Sequence, residues 1–122
     1  LNPRLGSSGS RSIQAYSYIQ IYQYKSVQGK IKLLKALADE TRIKIVQCLM
    51  DGERCACTLV PAAGKAQPTV SQHLRILEEA GVLESRREGV NIWYRIRSPE
   101  AIRILEILEI PKIEIPTSLE EP

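Results

Sequence analysis

The stretch from Gln67 to Arg97 constrains the fold most. Pro68 sits where a first-turn proline belongs, Val70, Leu74 and Leu77 recur at helical spacing, and Gly81 supplies a stop. Two extended runs come directly after it, Val82 to Glu88 and Ile92 to Arg97, separated by Gly89-Val90-Asn91, which reads as a hairpin tip. The pattern predicts a helix from Pro68 to Ala80 with a short hairpin attached.

Upstream, Ile31, Leu34, Leu37 and Ala38 keep three-and-four spacing. Asp39 is then a good N-cap for a helix whose apolar positions are Ile43, Val46, Leu49 and Met50, ended by Asp51-Gly52. A short helix from about Cys55 to Ala63 contains Pro61 and is closed by Gly64. Beyond the hairpin, a last helix from about Pro99 to Ile110 carries Ala101, Ile102, Leu105 and Leu108 on one side, with Glu106 and Glu109 outside. Near the start, Tyr16, Tyr18, Tyr22 and Tyr24 are interleaved with Ile13, Ile19 and Ile21. Their spacing suits either a strand or a helix; helix is assigned, and the aromatic concentration suggests packing against a partner subunit.

The chain reads as three segments: 1–12 as a flexible leader, 13–110 as one domain and 111–122 as a tail. In the tail Ile113 and Ile115 alternate with charge between Pro111 and Pro116, so it is either docked or frayed. A chain of 122 residues has room for one modest core. Net charge is +3 and uneven: residues 29–98 hold twelve basic against eight acidic side chains, whereas residues 99–122 hold two against six. That asymmetry hints at an anionic partner. No apolar run is long enough to span a membrane and no signal-like block opens the chain, which points to the cytoplasm. Cys48, Cys55 and Cys57 are an odd set, better suited to a reducing compartment or a thiol sensor than to a disulfide framework.

The fold class expected is mostly α with a small β-hairpin, a winged helix-turn-helix. With Val70, Leu74 and Leu77 buried, the Pro68 helix exposes Gln67, Thr69, Ser71, Gln72 and Arg75, with His73 adjacent to that surface. Gln and Arg match adenine and guanine edges, and hydroxyls and helix N-terminal amides hold phosphates. Arg86, Arg87, Arg95 and Arg97 lie on the hairpin. Double-stranded DNA is therefore the expected partner. Catalysis is not expected: the single histidine lies by this surface, and no acid–base pair or glycine-rich phosphate loop is present.

Several runs are also familiar: Leu34-Lys-Ala-Leu-Ala-Asp-Glu-Thr-Arg-Ile43, Glu53-Arg-Cys-Ala-Cys57, the run from Gln67 to Leu83, Arg86-Arg-Glu-Gly89 and Trp93-Tyr-Arg95. Together they resemble the arsenic- and metal-responsive winged-helix repressors of bacteria and archaea, over about residues 29–98. The resemblance implies a homodimer joined through its first and last helices, which binds an imperfect DNA palindrome and releases it on binding an effector. It also implies that Cys55 and Cys57 match the first two thiols of a soft-metal site, with As(III), Sb(III) or another soft ion as effector and no cofactor otherwise required.

Val60 occupies the position where such sensors often carry a third thiol. Cys48 is then a candidate third ligand, with a buried structural role as its alternative and an exogenous thiol as another source. No histidine comes after His73, so the histidine and carboxylate site on the last helix of some relatives is absent. Arg54 beside the pair favours thiolates. Ala66 stands where a Ser or Thr cap is common. Two other readings remain open: a repressor responding to thiol redox chemistry, and a winged-helix protein-interaction module without an effector.

Overall fold

The computed structural model describes residues 26–116. The leader, the tyrosine-rich segment with Tyr16, Tyr18, Tyr22 and Tyr24, and residues 117–122 lie outside the described residues. The chain divides into two units, residues 1–31 and 32–122. In the first, the described residues 26–31 are helical and exposed, Val27 and Ile31 among them. The second unit holds the hydrophobic core.

Helix α1, residues 26–37, ends at the corner before Asp39. Then come α2 (Glu40–Leu49), β1 (Arg54–Cys55), α3 (Ala56–Ala63), α4 (Gln67–Glu79), β2 (Leu83–Glu88), β3 (Asn91–Ile96) and α5 (Pro99–Ile107). The strands form an antiparallel sheet in the order β1-β3-β2. Glu88 pairs with Asn91, so the wing turns on only two residues, Gly89 and Val90, with Gly89 at φ 63°.

Asp39 starts α2 as expected: its Oδ2 accepts the Arg42 backbone N–H at 3.0 Å. Val70, Leu74 and Leu77 bury the inner face of α4 almost completely. Each such side chain contributes about 1.5–3 kcal/mol of burial. Gly81, at φ 81°, ends the helix; the next amide, Val82 N–H, reaches back to Leu77 O at 3.0 Å. Ser98 caps α5 by accepting the Ala101 N–H at 3.1 Å.

Four expectations are corrected. In α1 the buried residues are Ala36 and Leu37, while Leu34 is 53% exposed, because this helix has apolar side chains on more than one face and periodicity does not say which is covered. Cys55 is a strand residue and the cap of α3 rather than part of the helix. Helix α5 stops at Ile107, leaving Leu108 62% exposed. The hairpin tip has two residues, not three.

Residues 111–116 are docked rather than frayed. The Gln47 amide donates to Pro111 O at 2.8 Å, Ile113 N–H donates to Gln47 O at 3.1 Å, Lys112 meets Asp51 at 3.0 Å, and Ile115 joins the core.

Candidate nucleic-acid interface and thiol site

Gln67, Thr69, Ser71, Gln72 and Arg75 are all exposed on α4, because the opposite side of the helix is pinned in the core. Ala66 holds the N-cap position and makes no side-chain cap bond, leaving amides of the first turn without a protein side-chain partner at that end. Pro68 removes one donor there. The helix start is thus a cluster of amides and hydroxyl side chains suited to a phosphate oxygen.

His73 departs from this group. Its side chain is only 17% exposed, and its Nδ1 lies 3.1 Å from Arg42 Nη1 and 4.0 Å from Asp39 Oδ2, so the ring turns toward the start of α2.

The four hairpin arginines also separate. Arg86 is held by Glu53 through two hydrogen bonds of 2.8 and 2.7 Å, approaches Glu88 at 3.6 Å, and lies 5.6 Å from the centroid of the Trp93 ring. The hydrogen bond from Arg86 holds the Glu53 carboxyl below its usual range and in turn raises the guanidinium. Arg95 pairs with Glu84, its direct cross-strand neighbour. Arg87 is exposed and makes no ion pair among the described residues, as is also true of Arg97. Side chains alternate across a strand, so Arg87 shares a sheet face with Ser85, whose hydroxyl donates to Glu78 of α4 at 2.6 Å. Arg87 therefore extends the α4 side of the wing, and Arg86 takes the other face. The fork between Glu53 and Arg86 was not visible in the sequence, since 33 residues separate its partners.

Cys55 and Cys57 are joined by a disulfide, with their Cα atoms 5.1 Å apart. Cys55 is buried at the end of β1, opposite Trp93 of β3, and its Sγ also accepts the Cys57 N–H at 3.1 Å. Cys57 is exposed in the first turn of α3. Cys48 is free, 1% exposed and packed in the core, where burial pushes its thiol up.

A soft metal ion fits this set in part. Once reduced, the pair offers two adjacent thiolates. Among the described residues no group of three His, Cys, Asp or Glu side chains is gathered for a metal, so Cys48 does not complete the set. Among the described residues a four-donor zinc site is likewise not built. A trivalent thiophilic ion needs one further ligand from outside, such as an exogenous thiol.

Beside the pair lies a cavity of about 430 Å³. Cys55, Cys57 and Val60 wall one side, Ser71 and Leu74 of α4 another, and the wing tip at Val90 and Ile92 a third.

Residues 39–85 match the family described as bacterial regulatory protein, arsR family. An uncharacterised helix-turn-helix transcriptional regulator of Methanocaldococcus jannaschii is 34% identical over 79 residues, 64% of this chain and 89% of that protein. The chain belongs to the ArsR family. The arsenical resistance operon repressor of Escherichia coli is 46% identical over 67 residues, 54% of this chain. This ArsR-family chain spans only 57% of that relative's length. The solution structure of a homodimeric winged helix-turn-helix DNA-binding domain from Mycobacterium bovis is also similar, at 30% identity and a TM-score of 0.66, covering 72% of this chain and 82% of that one.

The fold is thus the winged helix-turn-helix expected. ArsR-family proteins are regulators, a class distinct from enzymes. The matched residues run from the Asp39 cap to Ser85, and so include both paired cysteines and all of α4 in this ArsR-family chain. Among the described residues no helix is long and apolar enough to cross a membrane.

Proposed function

We propose that the chain is a homodimeric transcriptional repressor that reads a palindromic DNA operator through α4 and the wing, and releases it when the reduced Cys55–Cys57 pair takes up a soft ion such as As(III) or Sb(III). The cavity carries this reading, because the thiol pair, the exposed helix and the wing tip border one space. Cys55 belongs to the wing sheet through its pairing with Trp93, and Cys57 belongs to α3. Whatever ties the two sulfurs together fastens the sheet to the helix beside α4. The ion would supply that cross-link through two metal–sulfur bonds. Cys55 and Cys57 would hold it, and the resulting shift of α3 against Leu74 and of β3 against the wing tip would re-aim the two DNA-facing elements.

In this reading Gln67, Thr69, Ser71, Gln72 and Arg75 face the major groove, with Arg87 on the adjoining backbone. Arg86 and Arg95 hold the wing together. Leu34, Ile107 and Leu108 are large, apolar and exposed, which supports burial of α1 and α5 against a second copy. A symmetric dimer spaces two reading helices by about 34 Å, one turn of DNA.

The disulfide favours a second reading, in which the effector is an oxidant. Two thiols then lose two protons and two electrons to that oxidant and form one S–S bond.

Fluorescence anisotropy on a labelled palindrome tests both readings. Reduced protein is titrated with arsenite, antimonite, cadmium, zinc and an oxidant, beside a Cys55→Ser/Cys57→Ser variant. Release by a soft ion that the variant ignores supports the first reading, and release by the oxidant alone supports the second. Binding indifferent to every agent would remove the effector role from the pair. Absence of salt-sensitive, palindrome-selective binding would instead favour a protein-interaction module.

A further inference from the structure

Arg42 makes contacts in three directions. Its Nε donates to Ala36 O at 2.6 Å and its Nη2 to Lys35 O at 3.4 Å, satisfying carbonyls at the end of α1. Its backbone N–H is taken by Asp39, and its Nη1 meets His73 Nδ1 on α4 at 3.1 Å. A guanidinium has donors and no acceptor, and it does not lose its proton in proteins. At this distance Nδ1 must therefore present a lone pair. A hydrogen bond at this contact requires the Nε2–H tautomer of the ring. Asp39 Oδ2, at 4.0 Å, is too far to compete as a hydrogen-bond partner for Nδ1.

We propose that Arg42 is a positioning residue: one guanidinium clasps the end of α1 and the ring of His73 together, holding the neutral Nε2–H tautomer and setting the angle at which α4 is presented to DNA. This rests on the reading of α4 as the DNA-facing helix. Neither residue contacts DNA in this proposal. His73 works through its acceptor nitrogen, which distinguishes it from Gln72 and Arg75 beside it.

The chain has one histidine, so ring nitrogen NMR of the untagged, histidine-labelled full chain reports a single imidazole. The expected spectrum at neutral to mildly alkaline pH shows a protonated Nε2 and a bare Nδ1. Operator affinity is then measured across salt for three variants. Arg42→Lys keeps the charge but not the fork, so affinity should fall about tenfold while the salt slope stays that of the parent. His73→Asn keeps an acceptor near the Nδ1 position and should stay within about threefold, whereas His73→Gln, whose amide reaches the Nε2 position, should lose about tenfold.

A ring protonated on Nδ1, equal losses for the Asn and Gln variants, or a flatter salt slope in Arg42→Lys would each overturn the clasp. If Arg42→Lys fails to fold, the two His73 variants and the ring spectrum still decide. If the parent binds no DNA, the function proposed above fails on its own, and the ring spectrum of the free protein still judges the clasp.

Discussion

The Sγ of Cys55 accepts the backbone N–H of Cys57 at 3.1 Å, so the first sulfur of the pair is also the N-cap of the helix carrying the second. The same residue is fixed on its other side by pairing with Trp93. Cys55 is thus a joint between sheet and helix through its strand pairing and its cap, in addition to the disulfide. Under reducing conditions Cys55→Ala should lose about 0.5–2 kcal/mol for the missing cap, and Cys55→Ser should retain most of it because a hydroxyl is the better acceptor. Urea unfolding of the two variants side by side checks this. Equal stabilities would mean that the sulfur does not act as a cap.

The opposite situation holds at Ala66, which occupies a cap position in extended geometry without a side-chain acceptor. Ala66→Ser should stabilise the protein by about 0.5–2 kcal/mol, read as a higher urea midpoint at unchanged slope. The added hydroxyl would also compete for the first-turn amides. Weaker operator binding together with higher stability would identify those amides as phosphate ligands.

Arg75, Arg86 and Arg87 should give three different outcomes in DNA binding. Arg75→Ala should cost about 1–3 kcal/mol on the preferred palindrome and relax sequence preference. Arg87→Ala should weaken binding on all sequences and reduce the salt slope by about one. Arg86→Ala should leave that slope nearly unchanged, since Glu53 already compensates its charge. If Arg86 changed the slope as much as Arg87, the division of the wing into a DNA-side face and a structural face would be wrong.

Cys48 should be chemically silent in the folded state. Its thiol is buried and pushed up by that burial, whereas Cys57 is exposed. In reduced native protein, a thiol-alkylating reagent should label Cys57 first and reach Cys48 only when denaturant is added. Rapid native labelling at Cys48 would contradict its place in the core.

Legibility from sequence tracked the range of the interactions involved. The Val70, Leu74 and Leu77 stripe and the Asp39 cap were readable because each is decided within one helix. Strand β1 was not, since two residues are too few to show a period. Counting a three-residue tip shifts the hairpin register by one; the two-residue turn at Gly89-Val90 brings Glu84 opposite Arg95 and would have revealed that pair. The contacts from Glu53 to Arg86 and from Arg42 to His73 join segments 33 and 31 residues apart, and local pattern carries no trace of them. Those two contacts give Arg86 and His73 partners within the protein.

Acid stability should report on the Asp39 corner. The backbone hydrogen bond from Arg42 is the main cause holding the Asp39 carboxyl below its ordinary value of 3.8, with the Arg42 charge adding to it against some desolvation. A carboxyl depressed in the folded state contributes stability that is fully present above its unfolded value and is lost as pH falls through the folded one. The contribution should therefore hold at pH 5 to 7 and fade below about 3.8. Asp39→Asn keeps a cap acceptor without a titrating group, so the difference in stability between parent and variant should shrink as pH drops through that window. Urea midpoints measured from pH 6 down to pH 3 test this. A difference that stays constant over the whole range would show that the Asp39 charge contributes nothing beyond the cap itself.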